Sequence, residues 1–178
     1  MPSANVSSNI SPISAEDVAD EFKKNIKLIL DGGKSKIGIE STVIDLTNKP
    51  TILRPGIIGP QAIKNILKIK INIKGDGSKI KSPGMLNRHY SPGIPMFLNQ
   101  KTSNRAAAFI TFGKKYKNKK NHFNLSKNGD LKEAASNLYK TLRKIKKLNF
   151  KNIYIAKIPN TGIGIAINDR LTRAAQKK

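Results

Sequence analysis

Four short stretches of this sequence gather hydroxyl, amide and cationic side chains around turn-forming residues. The first is Pro2-Ser3-Ala4-Asn5 with Ser11-Pro12 after it, just ahead of a helical pattern. Small hydroxyls and backbone N–H groups in a tight loop, backed by a helix N-terminus, can hold a phosphate. The same residues also serve as an ordinary helix-capping loop. The second stretch, 38–45, puts the hydroxyls of Ser41 and Thr42 where a strand starts. There they either hold a small polar ligand or bond their neighbours as a turn. In the third, Arg54 stands before Pro55-Gly56, placed for bidentate phosphate contact or for a surface ion pair. The fourth, 82–93, is broken by Pro, Gly and Ser yet carries Met85, Arg88, His89 and Tyr90, a set that a plain flexible linker would not usually contain.

The chemistry open to these residues is electrostatic. The chain has no cysteine and two histidines, His89 and His122. Disulfides, thiolate metal sites, cysteine nucleophiles and histidine-rich metal sites are therefore excluded.

The elements that must position these stretches follow from apolar spacing. Ser14 can cap a helix, with Asp17 at the capping-box position, and Val18, Phe22, Ile26, Ile29 and Leu30 predict one helix stopped by Asp31-Gly32-Gly33. Strand signals follow at 41–46 and 51–53, around the turn Asn48-Lys49-Pro50. Gly59-Pro60 starts a short helix with Ala62, Ile63, Ile66 and Leu67 on one side. Beyond residue 97 the pattern reads strand (106–112), helix (Leu131 to Ile145 spacing), strand (153–158) and helix (165–175). Asp169, Arg170 and Arg173 lie on the polar side of that last helix, and the Lys- and Asn-rich 114–127 reads as a solvated loop. Such alternation predicts an α/β layer structure with parallel strands.

The 178 residues include 34 Lys+Arg and 11 Asp+Glu, a formal charge of +23, with 38% hydrophobic residues. That composition is globular, and its basic surface would attract phosphate polymers. Most of the cations are Lys, in a sequence equally crowded with Ile and Asn, so AT-rich codon usage and a selected basic surface both explain the excess. No apolar run approaches the roughly 18–20 residues of a membrane span. With no signal-peptide pattern at the start, a soluble cytoplasmic protein is expected.

In chain order the motifs Pro-Ser-Ala-Asn, Ser-Pro, Asp-Gly-Gly, Glu-Ser-Thr-Val-Ile-Asp, Ile-Leu-Arg-Pro-Gly, Ser-Pro-Gly-Met-Leu-Asn-Arg-His-Tyr-Ser-Pro and Gly-Ile-Gly-Ile-Ala-Ile-Asn-Asp-Arg-Leu-Thr-Arg-Ala-Ala resemble the long, two-domain form of the threonylcarbamoyl-AMP synthase (YrdC-like) family. The resemblance runs from residue 2 to residue 175. It implies the C-terminal part of a YrdC-type twisted α/β domain at 1–75, a linker at 76–96 and a small Rossmann-like α/β domain at 97–178. It also implies an N-terminally truncated or split version, lacking the family's Lys/Arg nucleotide motif.

The activity implied is a nucleotidyltransferase reaction that joins ATP, bicarbonate and L-threonine into L-threonylcarbamoyladenylate. A downstream transferase complex would then carry the threonylcarbamoyl group to position 37 of tRNAs. Ser3, Asn5, Ser11, Arg54 and Tyr90 are implied as ATP contacts, Ser41 and Thr42 as the threonine site, and Mg²⁺ as the companion of ATP. The other partners implied are tRNA or double-stranded RNA and a separately encoded N-terminal half. The family has Gly where this chain has Ser8. The rival expectations are a non-catalytic nucleotide- or RNA-binding remnant, and a structural remnant in which only the second domain folds.

Overall fold

The computed structural model describes residues 4–73, 82, 86 and 89–176. Ser14 caps helix α1 (Ala15–Phe22), accepting from the Asp17 amide, while the Asp17 carboxylate accepts from the Ile13 amide. The helix is shorter than its apolar spacing predicts. After a 3-10 turn at Lys23–Asn25 the chain extends at Ile26, and Leu28 and Leu30 lie in solvent. A short helix is held mainly by the surface it packs against, and beyond Phe22 the stripe is covered only in part, with Ile26 and Ile29 half-buried and Leu30 in solvent.

Strands β1 (Val43–Asp45) and β2 (Thr51–Arg54) pair antiparallel, and β3 (Asn72–Ile73) joins β2 in parallel. Helix α2 (Pro60–Leu67) carries proline at its first position, where the missing N–H costs nothing. Only Ile63 of its predicted apolar side is buried, and Ile66 remains 78% exposed.

The second sheet is all parallel, in the order β4 (Met96–Phe97), β7 (Ile153–Ile155), β5 (Ala108–Thr111), β6 (His122–Asn124). Strand β6 corrects the solvated-loop reading of 114–127. Its Lys and Asn neighbours hide it locally, but the ladder to β5 and the Phe123 ring, edge-on to Phe150 at 5.9 Å, hold it in place. Helix α3 (Leu131–Lys147) buries Ala134, Ala135, Leu138, Leu142 and Ile145, as its spacing predicts, and Tyr139 besides, while Leu131 is half-buried. Asp130 caps it through two amides, and three lysines in its last turn complement the helix dipole. Helix α4 (Gly164–Ala175) completes the layer, but Arg170, expected on its polar side, is buried.

One apolar cluster unites α3, α4 and the second sheet, and it also takes in Ile10, Ile39 and Tyr90. Gly38 makes this contact possible. It sits at φ +77 against α3, where a Cβ would stand 2.6 Å from Ser136 Cα. No helix among the described residues is long and apolar enough to cross a membrane.

Candidate functional site

Val43 of β1 stands opposite Arg54 of β2. From that register the Arg54 guanidinium turns back on the residues entering β1: Nε donates to the Ser41 carbonyl at 3.1 Å and Nη2 to Ser41 Oγ at 3.3 Å. Gly56 allows the close approach, because a Cβ there would stand 2.3 Å from the Thr42 nitrogen. Thr42 Oγ1 donates to the Ile58 carbonyl at 2.8 Å and so ties the following loop to the same strand. Ser41 is exposed and Arg54 half-buried. The result is a hydroxyl beside a guanidinium at the surface, a pairing that suits a carboxylate or phosphate oxygen.

Beneath Ser41 lies Glu40, the centre of a buried polar cluster. Its carboxylate accepts from Arg170 Nε at 2.9 Å, from Ser11 Oγ at 2.6 Å, and from the Tyr139 hydroxyl at 2.9 and 3.1 Å to its two oxygens. Arg170 also donates to Asp169 at 2.7 Å. Burial works to raise the Glu40 pKa, but the Arg170 charge and the Ser11 hydroxyl outweigh it and hold the group below its ordinary value. Glu40 is therefore an anion at neutral pH. A buried ion pair overcomes its desolvation cost only when further hydrogen bonds satisfy it, and here two hydroxyls supply them. The cluster clamps the N-terminal loop, the start of β1, α3 and α4 together.

Tyr90 closes the cluster from the other side. It is 1% exposed, stacks on Tyr139 at 5.7 Å and 21°, and lies 5.2 Å from the Arg170 guanidinium. Its φ of +63 is a left-handed conformation unusual for a bulky residue, held here by its surroundings. Next to it, Ser91 donates its amide to the Ser8 carbonyl at 3.0 Å and bridges Asn9. Burial pushes the Tyr90 phenol up to about 12, with Arg54 among the charges opposing the rise. The hydroxyl itself is buried without a hydrogen-bond partner among the described residues. Burial likewise lowers the His89 pKa, which keeps its imidazole neutral at pH 7.

The residues expected at the site divide accordingly. Ser41, Thr42 and Arg54 come together. Ser11 lies one layer below, 4% exposed, with its proton given to Glu40. Tyr90 joins them through Arg170, facing inward. Asn5 braces its own loop, donating to the Val6 and Asn9 carbonyls at 2.9 and 3.3 Å. Ser3, Arg88 and most of 76–88 lie outside the described residues. Glu40, Tyr139 and Arg170 were not singled out as site residues. The available signal was an acid directly before Ser41 in a chain with 11 acids against 34 bases.

Among the described residues no three His, Asp or Glu gather to hold a metal. Both carboxylates of the cluster are committed, Glu40 to Arg170, Ser11 and Tyr139, and Asp169 to Arg170 and Arg173. The donor set fits an anion and does not fit a protein-ligated Mg²⁺.

These features define an α/β protein with an exposed serine hydroxyl paired to an arginine guanidinium, backed by a buried ion pair. A family model described as threonylcarbamoyl-AMP synthase, C-terminal domain, matches residues 58–176, and one described as telomere recombination matches 1–56. The chain belongs to the threonylcarbamoyl-AMP synthase family. It is 34% identical to a threonylcarbamoyl-AMP synthase of Pyrococcus abyssi and 31% identical to one of Bacillus subtilis, each over 98% of this chain and 56% of the relative. The crystal structure of P. abyssi Sua5 complexed with L-threonine superposes with a TM-score of 0.83 at 31% identity, again over 98% of this chain and 56% of that one. The chain thus spans a little over half the length of these relatives.

Proposed function

We propose that this chain forms part of an L-threonylcarbamoyladenylate synthase, acting on ATP, bicarbonate and L-threonine in tRNA modification. The observation that carries the reading is the Arg54 guanidinium gripping Ser41 at the open start of β1. In this reading Ser41 and Thr42 meet threonine. Arg54 neutralises phosphate charge, the N-terminal loop around Ser3 and Asn5 adds neutral hydrogen-bonding groups, and Ser11 steadies that loop from below through Glu40. Mg²⁺ would arrive on the nucleotide, held by phosphate oxygens. Carbamate formation and adenylyl transfer demand charge neutralisation and exclusion of water, and need no protein nucleophile.

The domain division follows the same reading: residues 1–75 as the C-terminal part of a YrdC-type domain, 76–96 as linker with Tyr90 near the site, and 97–178 as a Rossmann-like domain. A complementing half, equivalent to the relatives' remaining length, would complete the site, and the whole would work in the cytoplasm with tRNA and a threonylcarbamoyl transferase complex downstream. The exposed Ile57, Ile58, Ile66 and Ile73 around the first sheet suit such a partner.

The test is pyrophosphate release dependent on ATP, bicarbonate and threonine, measured for the chain alone and with the complementing half. Turnover is expected only with both, and Arg54→Ala should reduce it at least a hundredfold. Full turnover by the chain alone would remove the need for a partner. No turnover from two folded halves would leave a non-catalytic nucleotide- or RNA-binding protein.

A further inference from the structure

The residues discussed so far leave the carboxyl ends of β5 and β6 without a role. Loops at the carboxyl ends of parallel strands are where such folds commonly carry binding groups. Here a cavity of about 240 Å³ opens there, lined by Thr111 at the end of β5, Asn124 at the end of β6, and Lys114, Tyr116, Lys117 and Lys127. Three of its lining residues are lysines and none is Asp or Glu.

Its wall is packed and tied. Phe109, 2% exposed, meets the rings of Tyr116 and His122 edge-on at 5.5 and 5.2 Å. Asn124 Nδ2 donates to the Gly113 carbonyl at 2.9 Å, and His122 Nδ1 bonds the Lys117 carbonyl at 3.0 Å. Against this wall stands an anomaly. Thr111 lines the cavity and is 1% exposed, yet its Oγ1 is buried with no hydrogen-bond partner among the described residues. Buried hydroxyls nearly always find partners, and an isosteric valine would avoid the cost of leaving one unpaired.

We propose that this cavity is an anion site for a small phosphate: inorganic phosphate, pyrophosphate or the terminal phosphate of a mononucleotide. The lysine ammonium groups supply positive charge, and the Thr111 hydroxyl supplies a donor to a phosphate oxygen. The volume falls below the roughly 300–1,000 Å³ of sites for drug-sized ligands, which matches a phosphate group and not a whole dinucleotide. The site lies in the second sheet and stands independently of the activity proposed for Ser41 and Arg54.

The experiment is titration of the isotope-labelled full chain with inorganic phosphate and, separately, pyrophosphate, following backbone amide shifts. Saturable shifts are expected at Thr111, Gly113, Lys114 and Asn124. The dissociation constant should rise at least tenfold in the Lys114→Ala/Lys127→Ala double variant. Thr111→Val should raise it severalfold while leaving the melting temperature unchanged or higher, because only an unpaired hydroxyl is lost. Linear shifts scattered over the lysines, an unchanged affinity in the double variant, or a response to an RNA oligonucleotide alone would each overturn the assignment. Shifts confined to Ser41 and Arg54 would overturn it too, while leaving the proposed activity intact.

Discussion

Ser8 shows how a single residue type can carry strain. The N-terminal loop turns there at φ +70, a left-handed conformation that glycine adopts freely and serine does not. The amide of Ser91 reaches the Ser8 carbonyl, so the strained turn is also where the chain around Tyr90 is fastened. Ser8→Gly should relieve the strain and stabilise the protein by up to about 1 kcal/mol, offset in part by the entropy of glycine in the unfolded chain. Urea denaturation measures it. A loss of stability would mean that the serine side chain contributes more than its backbone costs.

Elements far apart in the chain are joined at the Glu40 clamp. Arg170 of α4 and Glu40 before β1 lie 130 residues apart, and Tyr139 of α3 lies 99 from Glu40. Arg170→Met strands Glu40 as an anion without its cation and should cost about 3–5 kcal/mol, whereas Glu40→Gln leaves Arg170 its ion pair with Asp169 and should cost less. The pH dependence has a definite sign. The folded pKa of Glu40 lies below its ordinary value of 4.5, so the unfolded chain takes up its proton first as pH falls. The stability this group contributes is complete above that ordinary value and is lost as pH drops through the folded pKa. In Glu40→Gln that part of the acid slope should disappear. An unchanged slope between wild type and variant would show that Glu40 is not held as a buried anion.

At the scale of the whole molecule, stability is uneven. The principal core lies between the second sheet, α3 and α4, whereas the first sheet and α2 leave Leu46, Ile57, Ile58, Ile66, Leu67, Ile69 and Ile73 exposed. With less apolar surface buried, β1 and β2 should open at a lower free energy than β5 and β7. Hydrogen exchange on the isolated chain should therefore protect the Ile110 and Ile155 amides at least tenfold more than that of Ile52. Addition of the complementing half should narrow the gap. Equal protection throughout would mean that the first sheet needs no partner surface.

Local signals decided much of this protein from the sequence. The Ser14 and Gly59-Pro60 helix starts, the apolar spacing of α3 and the runs that became β5 and β7 each need only near neighbours. So did the Ser41 and Arg54 motifs, whose meeting requires only a hairpin register. What the sequence could not reveal depends on contacts distant in the chain. α1 ends at Phe22, where Lys23 turns to φ +49 and the stripe beyond is only partly covered, and β6 forms within a Lys- and Asn-rich stretch because β5 offers a ladder. Arg170 reads as a surface cation on a helix, but it is buried because Glu40 comes to it from the other end of the molecule. A charge can leave water only when its partner arrives with it, and where the partner sits is a property of the tertiary structure.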